Sequence, residues 1–205
     1  MYSVGYFKEK EIETVKNFMK QNAFAILCGS NAEGKPVATH IPLLIEEREG
    51  TLFLLGHFMR KTDHHKAFEQ NPEALAIFNG PHTYVSASWY ANPQSASTWN
   101  YITVHAQGKL RLLEEDRLYD ILSSTTRHFE NNPDSPALVE KMPAEYITNM
   151  SKAIIAFEME VTALDNVFKL SQNRDAATRN NIIEQLKQSN TPDAMAIAAE
   201  MKKRL

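Results

Sequence analysis

Residues 101–112 read Tyr-Ile-Thr-Val-His-Ala-Gln-Gly-Lys-Leu-Arg-Leu, the longest run of the chain in which apolar and polar side chains alternate one by one. Alternation of this kind indicates a β-strand with one buried face, because successive side chains point to opposite sides of a sheet. Shorter strand-like runs lie at 24–28, 37–45, 51–56, 75–78, 83–86 and 155–162. The sequence therefore predicts six or seven strands, several of them joined by short turns.

Helical spacing of apolar residues is found between only some of these strands. It predicts helices at 9–21, 62–71 and 115–130 and, in two parts, at 175–204. The tail is divided at Asn190-Thr191-Pro192, where Thr191 would be the N-cap and Pro192 the first helical residue. Because strands and helices do not alternate, we predict a mainly β fold with peripheral helices (α+β), built as a closed or split β-barrel.

The composition is that of a folded globular protein. Of the 205 residues, 43% are hydrophobic and 23% are charged, which is close to the average for such proteins. No apolar run reaches the ~18 residues of a membrane span, and residues 1–13 show no secretory signal. The single cysteine, Cys28, cannot form an internal disulfide. We therefore expect a cytoplasmic protein without a membrane partner.

The charge is unevenly distributed along the chain. Residues 166–205 carry seven basic and four acidic side chains, a net +3, whereas residues 1–165 carry −6. The tail is interpreted either as two solvated helix faces or as a basic surface that contacts DNA or a regulatory protein partner. The overall charge of −3 gives no general attraction to nucleic acid.

A strand gives way to a helix within residues 55–66 (Leu-Gly-His-Phe-Met-Arg-Lys-Thr-Asp-His-His-Lys). A helix N-terminus offers unpaired N–H groups and a partial positive charge, which suits a phosphate ester. Four side chains could add charge-assisted hydrogen bonds: Arg60, Lys61, Thr62 and Lys66. Asp63 would repel a phosphate unless it points away. The alternative is an ordinary capped helix start in solvent.

Both tryptophans of the chain lie in a loop-like stretch at 87–100. Trp89 and Trp99 each stand among tyrosines and small hydroxyl side chains. This composition suits stacking on a flat heteroaromatic ring, with polar groups reaching the ring edge. The alternative is a rigid loop packed over the core or a dimer interface.

No catalytic residue can be assigned from the sequence. Cys28 lies in an apolar run, and no serine has a recognisable base partner. His40, His57 and His105 lie on three predicted strands, where one of them could ligate a haem, but nothing indicates a metal site. The polar motif Lys169-Leu-Ser-Gln-Asn-Arg174 could anchor the tail or contact a ligand.

Motifs along nearly the whole chain resemble the PaiB family of FMN-binding proteins, which are also described as negative transcriptional regulators. These motifs occupy residues 35–43, 56–57, 78–90, 98–101, 104–105 and 169–174. The family is similar to the split-barrel class that includes the pyridoxamine phosphate oxidases, homodimers with FMN at the subunit interface. The resemblance implies a homodimeric FMN-binding split barrel at residues 1–165, with a C-terminal helical extension at 166–205.

The resemblance also implies where FMN would bind. Three residues would follow the edge of the isoalloxazine ring: Ala38, Thr39 and His40. Four would face the phosphate: Arg60, Lys61, Thr62 and Lys66. Four would cover or neighbour the ring, from either subunit: Trp89, Thr98, Trp99 and Asn100. His57 is counted with the cofactor-binding residues. Where the family commonly has an Asn-Pro-His-Trp-like run, this chain has Thr62-Asp63-His64-His65.

Three functional hypotheses follow. The first is an FMN-binding protein of the PaiB type, acting as a regulator or in small-molecule oxidoreduction. The second is a transcriptional regulator without turnover, which contacts DNA or a protein through its tail. The third is a haem-binding split barrel that uses His40, His57 or His105.

Overall fold

The structure is a computed structural model that describes residues 1–2, 4–92 and 94–205. The helices are α1 (Ile12–Gln21), α2 (Asp63–Gln70), α3 (Glu115–Glu130), α4 (Ala144–Ser151), α5 (Ala176–Gln188) and α6 (Pro192–Lys202). Short 3-10 helices lie at Gly5–Phe7, Ala87–Trp89 and Val139–Lys141. The strands are β1 (Phe24–Ser30), β2 (Pro36–Pro42), β3 (Leu44–Arg48), β4 (Thr51–Met59), β5 (Glu73–Val85), β6 (Thr98–Leu112) and β7 (Ile154–Lys169).

The seven strands form one sheet in the order β2-β1-β5-β6-β7-β4-β3. The pairs β1–β2, β1–β5, β3–β4 and β4–β7 are antiparallel. Helices flank the strands rather than alternate with them. The predicted fold class, a split-barrel α+β protein, is confirmed. The helix predicted at 115–130 has the bounds of α3, and the tail folds as the two predicted helices.

The single strand predicted at 37–45 is wrong. β2 ends at Pro42, β3 begins at Leu44, and the two strands lie at opposite edges of the sheet. Leu43, between them, is almost fully buried, and its N–H donates to the carbonyl of Ala23 at 2.9 Å. The alternation of side chains continues through this point, but Pro42 has no N–H with which to extend the ladder.

The turn predicted at Asn79-Gly80-Pro81 is also wrong, because β5 runs through it without interruption. A Cβ at position 80 would lie only 2.5 Å from the ring of Phe18 on α1. Glycine is therefore needed here for a close approach between helix and strand, not for a reversal of the chain.

The chain divides into two compact units. The first consists of Met1–Asn22, Asn79–Val104 and Asp165–Leu205, and the second of Ala23–Phe78 and His105–Leu164. The tail helices are part of the core of the first unit, where Ile182, Leu186 and Ile197 are fully buried. In the second unit the core combines strand side chains, the largest of them Phe78 and Phe157, with Leu118 and Ile121 of α3. The predicted division at residue 165 stays a prediction.

A buried carboxylate lies among the strands of the second unit. Glu158 on β7 is 4% exposed. Its Oε2 accepts from Nη1 of Arg48 at 2.6 Å, and its Oε1 accepts from Nε of Arg111 at 2.9 Å. Burial alone would raise the pKa of Glu158, but the hydrogen bonds from Arg48 and Arg111 outweigh it and lower the pKa below its ordinary value of 4.5. The ion pair therefore stabilises the charged form inside the fold.

We predict that Glu158→Gln destabilises the protein by about 3 kcal/mol, the lower end of the cost of removing one partner of a buried ion pair. Because the pKa in the folded state lies below that in the unfolded state, this stability is present above the unfolded pKa and is lost as the pH falls through the folded pKa. Urea unfolding at about pH 7 and about pH 3.5 measures the difference. Glu160→Gln, at an exposed position of the same strand, is the control; equal effects of the two substitutions would contradict the prediction.

Candidate functional site

The predicted phosphate site lies where β4 ends and α2 begins. The N–H of Arg60 donates to the carbonyl of Ala153 at 2.9 Å, which extends the pairing of β4 with β7 by one residue. Lys61 then adopts a left-handed backbone with φ of 67°, and Thr62 is the N-cap of α2. A left-handed residue reverses the chain direction sharply, so helix α2 starts directly at the end of the strand.

The ring of Phe58 fixes α2 against the sheet. It stacks on Phe157 of β7 with ring centroids 5.0 Å apart, and on Phe68 of α2 at 6.2 Å. The imidazoles of His64 and His65 meet it edge-on at 5.1 and 5.9 Å. Because such pairs add to the hydrophobic burial, the first turn of α2 has a fixed position relative to β4.

The helix start satisfies most of its own polar groups. The hydroxyl of Thr62 donates to the carbonyl of Met59 at 2.9 Å and accepts from the N–H of His65 at 3.3 Å, and it lies 3.0 Å from Nε2 of His64. The N–H of Lys61 donates to Nδ1 of His65 at 3.1 Å. Thr62 therefore caps the helix, and its hydroxyl has no further proton to donate to a ligand.

Asp63 is held away from the cap position. Its Oδ1 accepts from the N–H of His64 at 2.8 Å and lies 3.2 Å from Nδ1 of the same residue. The hydrogen bond from the backbone of His64 lowers the pKa of this exposed carboxyl. The sequence left the direction of Asp63 open, and the structure shows that its neighbouring histidine holds it.

Cationic side chains remain available at the junction. The guanidinium of Arg60 donates from Nε to the carbonyl of Ile154 at 2.9 Å, and its Nη2 lies 3.6 Å from the exposed carboxylate of Glu115. Lys61 and Lys66 are exposed, and neither forms an ion pair with any described residue. With the carboxylates of Asp63 and Glu115, these three cations give the junction a formal charge of +1. That charge fits a phosphate monoester dianion, bound through side chains.

The predicted ring-edge residues lie on the edge strand β2. Ala38, Thr39 and His40 stand opposite Cys28, Leu27 and Ile26 of β1. Ala38 and His40 point to the face that is exposed, and Thr39 is half-buried on the other. One side of the β2 backbone is unpaired in the sheet, so its N–H and C=O groups are free to meet a ligand edge.

His57 lies on β4 opposite Ala156 of β7. It is half-buried, and burial lowers the pKa of its imidazole. The side chain is therefore uncharged at neutral pH and can offer one donor and one acceptor.

The first unit holds an exposed group of aromatic rings. Trp99 is 53% exposed. Its ring meets Tyr84 edge-on with centroids 6.0 Å apart, and lies tilted against His82 at 6.2 Å. His82 in turn has Nδ1 3.7 Å from a carboxylate oxygen of Asp193. Trp99 is thus an exposed indole with aromatic neighbours, and an exposed aromatic ring can stack on a planar heterocycle.

The other predicted ring contacts of the first unit are engaged within the protein. Trp89 is half-buried, and its carbonyl accepts from Nδ2 of Asn181 at 2.7 Å. Asn100 is fully buried and exchanges two hydrogen bonds with the hydroxyl of Ser171, at 3.0 and 3.1 Å. The hydroxyl of Thr98 bonds with Nζ of Lys169. Asn100 and Thr98 thus join β6 to the chain that follows β7.

The motif Lys169-Leu-Ser-Gln-Asn-Arg174 is accounted for by this junction. Ser171 is buried with φ of 61°, a conformation that few side chains adopt. Its bonds to Asn100 hold it there. Arg174 lies over the ring of Tyr90 at 4.3 Å, and Lys169 lies over Tyr2 at 5.3 Å. The motif anchors the start of the tail helices, the first of the two roles that the sequence left open.

Some residues that contact the predicted site residues could not be identified from the sequence. His65 is 6% exposed and supports the turn at Lys61, yet it looks like any surface histidine of a helix start. Tyr84 lies in the strand predicted at 83–86 and His82 lies just before it; only their spacing of two residues indicates that they share one face.

The comparison with protein families finds one model. Residues 1–163 match the family described as "Putative FMN-binding domain". Among curated proteins, the chain is 35% identical over 205 residues to the protease synthase and sporulation protein PAI 2 of Bacillus subtilis. That match covers 100% of this chain and 98% of the relative.

Solved structures give the same fold at low identity. The FAD and heme binding protein from Mycobacterium smegmatis superposes with a TM-score of 0.60 at 16% identity, covering 84% of this chain and 78% of that one. The flavocytochrome Anf3 from Azotobacter vinelandii superposes with a TM-score of 0.61 at 17% identity, covering 82% and 72%. These likenesses concern the fold.

None of the helices in the described part of the chain has the length and apolar composition of a membrane span. No cluster of three or more His, Cys, Asp or Glu side chains there could hold a metal ion.

We predict that Asn100→Ala destabilises the protein by about 2 kcal/mol, because it removes the partner of buried Ser171 and leaves that hydroxyl unsatisfied. Asn180→Ala, at an exposed position of α5, is the matched control and should change stability by less than about 0.5 kcal/mol. Denaturant unfolding followed by circular dichroism measures both. Equal midpoints for the two variants would show that the buried pair contributes little.

Proposed function

The chain belongs to the PaiB family of FMN-binding proteins, and from this premise we propose that it works as a homodimeric flavoprotein that holds the phosphate of FMN at the start of α2. The resemblance that the sequence predicted is confirmed by the family match and by the Bacillus relative. The single observation that carries the site assignment is the group of three cations at the β4–α2 junction, of which Lys61 and Lys66 are exposed and Arg60 is half-buried.

Each residue of the junction has a distinct part in this proposal. Arg60 offers its Nη1 donors, since Nε donates to the carbonyl of Ile154 and Nη2 lies 3.6 Å from the carboxylate of Glu115. Lys61 and Lys66 add two mobile ammonium groups, and Thr62 shapes the turn from which all three project. Of the three cations, only Arg60 is anchored before binding, by its hydrogen bond to Ile154 of β7, which limits the ordering cost of that group.

For the isoalloxazine ring we propose the edge strand β2, with Ala38, Thr39 and His40, as the polar edge contact. His57 adds a neutral imidazole on β4. Of the predicted aromatic set, Trp99 has an exposed ring, whereas Thr98 and Asn100 bond to Lys169 and Ser171 within the first unit. When bound, FMN supplies the electron-transfer chemistry, and the chain supplies binding and electrostatics.

The dimer is proposed on the sheet face of β1, β2 and β5. Phe24 on this face is 68% exposed. The register places Ile26 beside His40 and Ile77, and Cys28 beside Ala38 and Leu75. These side chains form an apolar patch, which on a folded protein marks an association surface. A second copy of the chain fits it, because the named side chains other than His40 are apolar and none is a carboxylate, lysine or arginine.

Regulation is the second candidate function. It is favoured by the relative that is 35% identical over the whole chain, whose name refers to protease synthesis and sporulation. A regulator of this kind would use FMN, or the basic tail, to change its contacts with DNA or with a protein. The haem alternative, with His40, His57 or His105 as ligand, has the support of fold likeness alone.

We predict that the protein binds FMN more tightly than riboflavin, which lacks the phosphate. Arg60→Ala with Lys61→Ala should weaken FMN at least about tenfold and leave riboflavin unchanged, since each hydrogen bond to a charged group contributes about 1.5–3 kcal/mol. Fluorescence titration of the unmodified protein and of the double variant with both flavins gives the four dissociation constants. The effect of the substitutions on FMN affinity is then compared with their effect on riboflavin affinity.

The control for this experiment is Lys109→Ala with Arg117→Ala, which removes two cations from the surface of the same unit. An equal loss of FMN affinity in this control variant would mean that the substitutions act through the overall charge and not through a phosphate site. Equal affinity of the unmodified protein for FMN and riboflavin would contradict the proposed phosphate site. A Soret band on adding haem, with no flavin binding, would favour the third hypothesis.

We predict that Phe24→Glu converts the dimer to a monomer, because it places a charge in the middle of the apolar patch. The same substitution at Phe129, an exposed phenylalanine of α3, should leave the dimer intact. Sedimentation velocity over a range of protein concentrations distinguishes the two. A monomeric unmodified protein, or an unaffected Phe24→Glu variant, would contradict the proposed interface.

A further inference from the structure

The first unit contains a cavity between α1 and α6 that none of the functional assignments uses. Its volume is about 770 Å³, within the range of small-molecule sites. It shares no residue with the predicted flavin-binding set. The wall formed by α6 lies beyond residues 1–163, the part of the chain that matches the FMN-binding family.

The floor of the cavity is apolar and well packed. It consists of Phe18, Ile102 and Phe168, each less than a tenth exposed. Phe18 meets Phe168 edge-on with centroids 5.6 Å apart, and Gly80 leaves no room for its ring to move toward the strand. A floor held in this way exists before any ligand arrives, which lowers the cost of binding.

The two walls differ in chemistry. On α1, Thr14, Asn17 and Gln21 line the cavity at helical spacing. The side-chain amides of Asn17 and Gln21 form no hydrogen bond with any described residue. On α6, Ala196 and Ala199 line it with methyl groups only. Long side chains at these two positions would occupy the space, so the small ones leave it open to a ligand.

The charges at the rim leave one carboxylate without a partner. Arg204 is bound to Glu9 at 3.0 Å and also to Glu200, which accepts from Lys203 at 2.6 Å as well. Glu11 lines the same cavity, and its carboxylate forms no ion pair with any described residue. Three carboxylates therefore face two cations, and the excess negative charge lies at Glu11.

We propose that this cavity binds a small planar aromatic molecule that carries a protonated amine. The ring would lie on Phe18 and Ile102, beside Arg204, whose guanidinium covers the ring of Phe168 at 5.2 Å. The amides of Asn17 and Gln21 would bond with polar atoms at its edge, and the ammonium group would pair with Glu11. An aromatic ring with an anionic group would meet the excess carboxylate and bind more weakly.

Three compounds with one ring system test the proposal: tryptamine (cationic), indole (neutral) and indole-3-acetate (anionic). Ligand-observed NMR with the full chain, with and without saturating FMN, gives their affinities. Tryptamine should bind about tenfold more tightly than indole-3-acetate, which corresponds to ~1.4 kcal/mol. Glu11→Gln should remove most of this difference while leaving indole unchanged. FMN should change neither value, since the two sites share no residue.

A filling substitution identifies the cavity. Ala199→Trp should abolish binding of all three compounds, whereas Ala177→Trp, at an exposed position of α5 outside the cavity, should leave it intact. Ala196→Leu is a milder filling variant if Ala199→Trp reduces the folded fraction by circular dichroism. The proposal is overturned if no compound binds at millimolar concentration, or if binding survives both filling variants in folded protein. It is also overturned if indole-3-acetate binds as tightly as tryptamine.

Discussion

The close approach at Gly56 is the constraint on which the second unit depends. A Cβ there would lie 2.8 Å from the ring of Phe157 and 3.2 Å from a methyl group of Leu43. Glycine thus lets Leu43 enter the core at the point where the chain passes from one sheet edge to the other. With Leu43 fixed, β2 and β3 can occupy opposite edges, and β4 can continue straight toward Arg60.

The same strand explains why the candidate phosphate site is rigid. Phe58 lies two residues after Gly56 and stacks on Phe157, the ring that Gly56 admits. It also holds α2, so the start of the helix takes its position from the core. The backbone and hydroxyl groups of the junction are used internally, and the free charge sits on lysine and arginine side chains. Shape and charge are therefore supplied by different residues.

Local signals predicted much of the fold. The spacing of Leu118 and Ile121 after the acids at 114–116 gave α3 with its observed bounds. Three features could not be predicted, two of them because they depended on distant contacts. The break at Leu43 follows from its burial, the straight course of β5 follows from Phe18 beneath Gly80, and α4, with no buried side chain, has no apolar face to reveal it.

The site shows the same division. Cations before a helix were visible in the sequence, as were the two tryptophans. The use of the Thr62 hydroxyl as the helix cap was not visible in the sequence, because it depends on the orientation of His64 and His65 against Phe58. The sequence also did not show that Trp99 is exposed and Asn100 is buried. Adjacent residues of one strand point to opposite sides, and the sequence did not show which side of the strand is buried.

The two outer strands of the sheet also bear on its behaviour at high concentration. An unpaired strand is a template on which further chains can add and grow into fibrils. β3 carries Glu46, Glu47 and Arg48, whose charges repel such growth. β2 begins with Pro36 and ends with Pro42, residues that cannot donate to an incoming strand. Open-ended polymerisation is thus opposed at one border by charge and at the other by missing donors.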